Sequence, residues 1–304
     1  MEAMFNVNGR ICRRDEAVIP VLDHGFLYGE GVYEVCRTYH RRLFLFDRHL
    51  RRLRASAGML ALPVPWSDRA LTARVEETMA AAGASPGTAG PDAYVRVLLT
   101  RGVGDISYDP ATCPEPSLVV IVREHAPPAP AVYARGVRVS VVSIIRNHPD
   151  AIDPLIKSNN LLNNALAMQE ALRRGAFEAV MRNHLGELAE CSQSNLFIVR
   201  DDTVLTPPLE AGLLAGITRE FLFEIGSESG LTFSEAALRD EDLLKADEAF
   251  LTSTTREVVP IVAVDDHTIG SGRPGRVTRL LLEAFRRRAD VLTRAVQAPA
   301  AAPD

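Results

Sequence analysis

Of the 34 basic residues in this chain only two are lysines, Lys157 and Lys245. A sequence that uses arginine wherever a positive charge will serve keeps lysine where arginine cannot act. An amine loses its proton and forms an imine with a carbonyl; a guanidinium does neither at ordinary pH. Lys245 lies in DEDLLKADE, four residues after Glu241, the spacing of a solvated ion pair on a helix. Lys157 has no such partner near it in sequence. It sits among Ile156, Ser158, Asn159 and Asn160, just ahead of a helical stretch, and is the candidate reactive amine.

The elements that must carry it follow from pattern. Residues 4–19 read as a β-hairpin turning at Asn8-Gly9. Glycine-rich LDHGFLYGEG precedes two strands, Val32 to Tyr39 and Leu43 to Phe46, and glycines at that density let backbones approach closely. Tyr28 and Tyr33 can then turn hydroxyls into a cavity. Residues 47–60 have helical spacing after an Asp47 N-cap, with Arg48, His49, Arg51, Arg52 and Arg54 as the densest basic run. A second helix is predicted over Trp66 to Ala82, then strands over Ala93 to Thr100 and Leu118 to Arg123. Arg96, inside the first of these strands, needs an acid or an anionic ligand as partner.

HAPPAPA, residues 125–131, is the clearest linker. It divides the chain into a domain over 1–124 and a larger one over 132–292, with a disordered tail expected over 293–304. The second domain opens with a strand over Gly136 to Ile145, and the helix Leu161 to Arg174 follows Lys157. Strands are predicted over Phe177 to Arg182 and Gly186 to Arg200. Gly216-Ile217-Thr218 starts a helix whose free N–H groups suit a phosphate, and Thr252 to Thr255 is a similar small-residue turn. Strand Val258 to Val264 and helix Arg276 to Arg288 complete the fold.

Bulk properties exclude several classes. A net charge of −5 gives no global attraction to nucleic acid, and no run approaches the ~18 apolar residues of a membrane span. The start, MEAMFNVNGRICRRDE, has an early acid and no apolar stretch, and the four cysteines form no CxxC pair. A cytoplasmic protein without a disulfide framework or a metal site is therefore expected. Seven histidines without HxH or HxxxH spacing speak against a metal-dependent hydrolase.

An imine-forming lysine needs a carbonyl, and the commonest cofactor that brings one is pyridoxal phosphate. Such a site also needs a carboxylate for the ring nitrogen, cations or N–H groups for the phosphate, and a grip on the substrate carboxylate. Glu190 or Glu187 can supply the first, and Arg52 with the two small-residue turns the second. Arg96 or the tyrosines can supply the third.

The blocks DHGFLYGEGVYE, HLRRLRASA, IKSNNLLNNALAMQEA, GELAECSQSNLFIV, TPPLEAGLLAGITR and ADEAFLTSTTREVVP occur in this order over most of residues 5–270. Together they resemble the class IV (fold type IV) pyridoxal-phosphate aminotransferases, the family of D-amino-acid and branched-chain aminotransferases and of aminodeoxychorismate lyase. The resemblance implies an α+β fold of two domains, a small N-terminal α+β domain and a larger β-barrel-like domain with helices. It makes Lys157 the Schiff-base lysine and proton carrier, Glu190 the ring-nitrogen carboxylate and Arg52 the phosphate arginine. Ile217, Thr218, Ser253 and Thr254 become phosphate contacts, and Leu214 packs on the ring. It also implies a homodimer in which a neighbour's loop, residues 101–112, closes the site.

Within the family the marks are mixed. Val35, Leu162 and TSTT resemble the D-amino-acid enzymes, whereas Tyr94 to Arg96 and the GVGD loop resemble the branched-chain side. The Arg-x-His carboxylate trap of the D-specific enzymes is missing from RGVGDISYDPATCP. The expectation is a ping-pong transaminase for an amino acid and a 2-oxo acid such as 2-oxoglutarate or pyruvate, leaning to D-amino acids. Arg96, Tyr28 or Tyr33, helped by Arg37, would replace the trap. A branched-chain L-amino-acid aminotransferase is the alternative, then the lyase; a non-catalytic cofactor carrier or a nucleic-acid binder using Arg48–Arg54 are rivals of other classes.

Overall fold

The computed structural model describes residues 1–294. The first part of the chain runs β1 (Met4–Val7), β2 (Arg10–Cys12), α1 (His24–Leu27), β3 (Gly31–Tyr39), β4 (Arg42–Leu43), α2 (Phe46–Met59), α3 (Asp68–Ala81), β5 (Ala93–Thr100) and β6 (Ser117–Glu124). Its strands form one antiparallel sheet, ordered β2-β1-β6-β5-β3-β4. The β1–β2 turn is made as Asn8-Gly9 demands, both residues at positive φ.

This sheet has two unlike faces. Ala93, Val95, Val97 and Leu99 of β5 join Leu118, Val120 and Val122 of β6 in a core against Leu50, Leu53 and Ala57 of α2 and Leu71, Val75 and Met79 of α3. Strand alternation therefore turns Tyr94 and Arg96 to the opposite face, beside Tyr33, Val35 and Arg37 of β3. Glu34, on the helix side, is buried between β3 and α2.

The chain then forms α4 (Pro130–Arg135), β7 (Val137–Val141), α5 (Leu162–Arg173), β8 (Glu178–Arg182), β9 (Leu188–Cys191), β10 (Asn195–Arg200) and β11 (Thr203–Thr206). It closes with α6 (Ile217–Glu228), β12 (Thr232–Glu235), α7 (Asp240–Leu244), β13 (Glu248–Ser253), β14 (Glu257–Val264), β15 (His267–Thr268) and α8 (Arg276–Thr293). These nine strands make a mixed, curled sheet ordered β12-β11-β10-β13-β14-β7-β8-β9, with β15 against β14. Phe197 and Phe250 stack beneath Phe221 of α6 and Phe285 of α8, while Leu196, Ile198, Leu251 and Val259 fill the other face. Since every strand of the first sheet precedes residue 125 and every strand of the second follows residue 136, we propose two domains divided at 125–131.

Several expectations need correction. The helix at 47–60 begins at Phe46 with Leu45 as N-cap in the left-handed region (φ 52°), so Asp47 caps nothing and pairs instead with Arg51 (3.4 Å). The predicted strand Leu43–Phe46 accordingly shrinks to β4. Gly186–Arg200 is not one strand: Ser192 to Ser194 separate β9 from β10, because the buried Glu178 carboxylate accepts from the Gln193 N–H (2.6 Å) and the Ser194 hydroxyl (3.0 Å). β12 is exposed and polar, without an apolar alternation to betray it. The tail expected to be disordered begins at Thr293, which closes α8; beyond Arg294 it lies outside the described residues.

Candidate active site

Lys157 reaches its place through backbone bonding rather than through a helix or strand of its own. Its N–H donates to Ser56 Oγ of α2 (3.1 Å), the Tyr33 N–H donates to its carbonyl (3.0 Å), and the Asn159 N–H to the Gly31 carbonyl (2.9 Å). Gly31 has no alternative here, since a Cβ would lie 2.6 Å from both Asn159 Nδ2 and the Leu99 carbonyl oxygen. The segment before α5 is thereby strapped to β3 of the first sheet.

The side chain of Lys157 lines a cavity of about 720 Å³ between the two sheets. Nζ lies 4.7 Å from the centroid of the Tyr33 ring, and the Arg96 guanidinium carbon lies 4.2 Å from the same centroid. Burial first, then the Arg52 guanidinium, lower the Lys157 amine to about 8, against the opposing pull of Glu34 and Glu190. At neutral pH such an amine loses its proton far more readily than an exposed lysine. Burial likewise raises the Tyr33 phenol, which stays protonated.

Arg52 is fixed at its fork. Its Nε and Nη2 donate to the two oxygens of Glu34 (2.7 and 2.8 Å), and Nη1 donates to the Ala215 carbonyl (2.8 Å). Glu34 Oε2 also meets His49 Nδ1 (2.7 Å). Burial pushes the Glu34 carboxyl up, yet Arg52 and His49 outweigh it and hold the group down at about 2. The basic run on α2 is thus consumed by carboxylates: Arg48 by Glu220 and Glu224, Arg51 by Asp47, Arg54 by Asp68.

Opposite Arg52 lies the start of α6. Its N-cap, Gly216, makes no side-chain capping bond, so the first amides of the helix are left for a ligand or solvent. A Cβ on Gly216 would stand 1.9 Å from Asn195 Oδ1, and Asn195 Nδ2 donates to the Leu214 carbonyl (2.9 Å). Across from it the buried hydroxyl of Thr252 has no hydrogen-bond partner among the described residues, although it faces the cavity. Arg256 steadies the adjoining turn through Ser253 Oγ (3.1 Å) and Glu178 (2.7 Å).

At the far end Glu190 accepts from Arg146 Nε (2.7 Å) and from the Leu214 N–H (3.1 Å). Glu187, the other candidate for that place, does not line the cavity and is engaged by Asn183 (3.3 Å) and Arg239 (3.6 Å). The structure brings Lys157, Arg52, Glu190, Leu214, Ile217, Thr218, Ser253, Thr254, Tyr33 and Arg96 to one cavity.

Two expected substrate residues lie elsewhere. Tyr28 packs on His24 and Tyr108, because α1 turns it toward the 101–112 loop rather than inward. Arg37 is buried in an ion pair with Glu257 (3.2 Å) and over the Tyr39 ring, which leaves it no role in gripping a substrate. Arg146, Glu34 and Asn195 were missed at the sequence level, and His49 was noted only as part of the basic run. Nothing in their spacing marks them, since each meets its partner only across sheets or between a helix and a sheet.

The description amino-transferase class IV belongs to a family model that matches residues 31–264. The chain belongs to this family. It is 35% identical over 92% of its length to a putative branched-chain-amino-acid aminotransferase of Methanocaldococcus jannaschii, 94% of which is covered. It is 32% identical, again over 92% of its length and 94% of the relative, to a D-alanine aminotransferase of Bacillus licheniformis. Among solved structures, the branched-chain amino acid aminotransferase of Thermobaculum terrenum in its PLP form has a TM-score of 0.84 and 25% identity, with 96% of each chain covered.

This class IV aminotransferase is therefore an enzyme of fold type IV, and its cofactor is pyridoxal phosphate. The cavity suits that cofactor on three counts. An unpartnered buried hydroxyl at Thr252 and an uncapped helix start face it, and the approach at Gly216 is too close for any side chain. No described helix is long and apolar enough to cross a membrane.

Proposed function

We propose that this aminotransferase moves the amino group of an apolar L-amino acid of the branched-chain type to a 2-oxo acid such as 2-oxoglutarate or pyruvate, by a ping-pong route. One observation carries the substrate reading: Tyr94 and Arg96, the residues resembling the branched-chain enzymes, both line the cavity, and Arg96 has no carboxylate partner among the described residues. Leu162, a mark of the D-amino-acid side, is exposed on α5 and does not line it. The remaining wall includes Val35, Ile152, Ile156, Leu161 and Met168, an apolar lining for an aliphatic side chain.

Each residue then has a task. Arg52, the amides of Ile217 and Thr218, and the turn at Ser253 and Thr254 hold the cofactor phosphate. Leu214 packs on the ring and Glu190 meets its nitrogen. Lys157 Nζ would anchor the cofactor until a substrate amine takes its place, and the freed Lys157 amine would then take and hold the proton from the substrate Cα. When bound, the cofactor supplies an electron sink for the pair left at Cα. Arg96 holds the substrate carboxylate beside Tyr33.

A homodimer belongs to the same proposal. Ile106 and Tyr108 of the 101–112 loop are 78% and 90% exposed, as residues that close a neighbour's site would be in a single copy. The pairing of the α2 arginines with carboxylates supports small-molecule substrates rather than nucleic acid, in a cytoplasmic setting.

A second reading rests on Val35 and the TSTT turn, Thr252 to Thr255, which line the cavity as well, and on the likeness to a D-alanine aminotransferase. Spectrophotometric half-reactions separate the two. We expect L-leucine and L-valine to convert the bound cofactor; conversion by D-alanine alone would overturn the L-amino-acid reading in favour of the second.

A further inference from the structure

The carboxylate assigned above to the ring nitrogen is gripped by an arginine of the same cavity wall. Arg146 donates through Nε to Glu190 Oε1 (2.7 Å), its side chain buried, and through Nη1 to Asn163 Oδ1 (3.2 Å). Its own backbone is fixed by a bond from its N–H to the Arg182 carbonyl (2.8 Å), and Asn163 is held by the Ile145 carbonyl (2.8 Å). No other carboxylate pairs with Arg146 among the described residues. Among carboxylates the positive charge of Arg146 is thus given to Glu190 alone in the described residues, and Glu190 lines the cavity.

A hydrogen bond between a ring nitrogen and a buried carboxylate has two forms. In one the proton stays on nitrogen and the pair is ionic; in the other it moves to oxygen and the pair is neutral. Withdrawal from water favours the neutral form, whereas a fixed cation beyond the carboxylate stabilises only the ionic one. We propose that Arg146 is a positioning residue that keeps the shared proton on the ring nitrogen by holding Glu190 as the anion. This rests on the assignment of Glu190 above. The Leu214 N–H acts in the same direction on the other oxygen, and Leu214 is the residue assigned above to the ring face.

Loss of an opposite charge at this distance changes a carboxylate's preference for a proton by about ten- to a thousandfold. The readout is the 15N chemical shift of ring-15N-labelled pyridoxal phosphate in reconstituted holoenzyme. Wild type should give the signal of a protonated ring. R146Q, which keeps a donor but removes the charge, should move it toward the unprotonated value, and R146K, whose charge sits farther back, part of the way. An unmoved resonance in R146Q would overturn the inference, and R146M, likewise without a charge, decides it should R146Q not fold. E190Q keeps the two questions apart. If E190Q leaves the signal in place, the assignment of Glu190 fails; if E190Q moves it and R146Q does not, the role of Arg146 alone fails.

Discussion

Lys157 was visible in the sequence as a rare lysine, but the reason it is useful was not. That reason is its surroundings: burial and Arg52 bring the amine down to about 8 from its ordinary 10.5. Between those values the unfolded chain binds one more proton than the folded apoenzyme at this site. Apoenzyme stability should therefore rise as pH climbs from about 8 toward 10.5, and K157M should flatten that slope in urea unfolding at a series of pH values. The slope has the same sign for Glu34, in a lower window. Its value of about 2 lies below the ordinary 4.5, so its contribution is present above 4.5 and is lost as pH falls toward 2. Arg96 was legible as an arginine in need of an anion, and beside Tyr33 it has no carboxylate partner among the described residues. R96Q should raise the KM for the amino donor roughly tenfold to a hundredfold, the worth of a charge-assisted hydrogen bond. Unchanged steady-state kinetics would remove Arg96 from the carboxylate grip. Tyr28 and Arg37 show the limit of such reading: residue type nominated both, and only their faces and partners, Tyr108 and Glu257, reassign them.

Single elements were legible where period and turn chemistry agree. β5 is found over the residues predicted for it, and its alternation alone separates the core residues Val95 and Val97 from the cavity residues Tyr94 and Arg96. The start of α6 was likewise readable from Gly216-Ile217-Thr218. What escaped is organised by buried carboxylates from distant elements. Glu178 breaks β9 from β10 and, through Arg256, fixes the turn that bears Ser253 and Thr254. No local signal at Ser192 to Ser194 announces a contact with β8. The tightest point of this element pair is Gly216 against Asn195. G216A should cost about 1–3 kcal/mol through that overlap and weaken cofactor binding more than it lowers the Tm of apoenzyme. Titration of apoenzyme with pyridoxal phosphate measures it; equal affinity in the variant would mean that α6 does not hold the phosphate.

For the molecule as a whole, the proline-rich stretch at 125–131 falls between the two sheets, while the strap that ties the Lys157 segment to the first sheet was not readable. Backbone bonds from Tyr33 and Asn159 lock the Lys157 segment to β3, so the amine just ahead of α5 is positioned by the first sheet. The exposed Ile106 and Tyr108 carry the expectation of a dimer, and sedimentation velocity should show twice the chain mass; a monomer with full activity would refute the borrowed loop. The most direct measurement concerns Lys157 itself. Borohydride reduction of the holoenzyme followed by peptide mass spectrometry should leave the cofactor covalently on the peptide carrying Lys157, and K157A should lose both that label and all turnover. A label on Lys245, or a K157A enzyme that still turns over, would contradict the account.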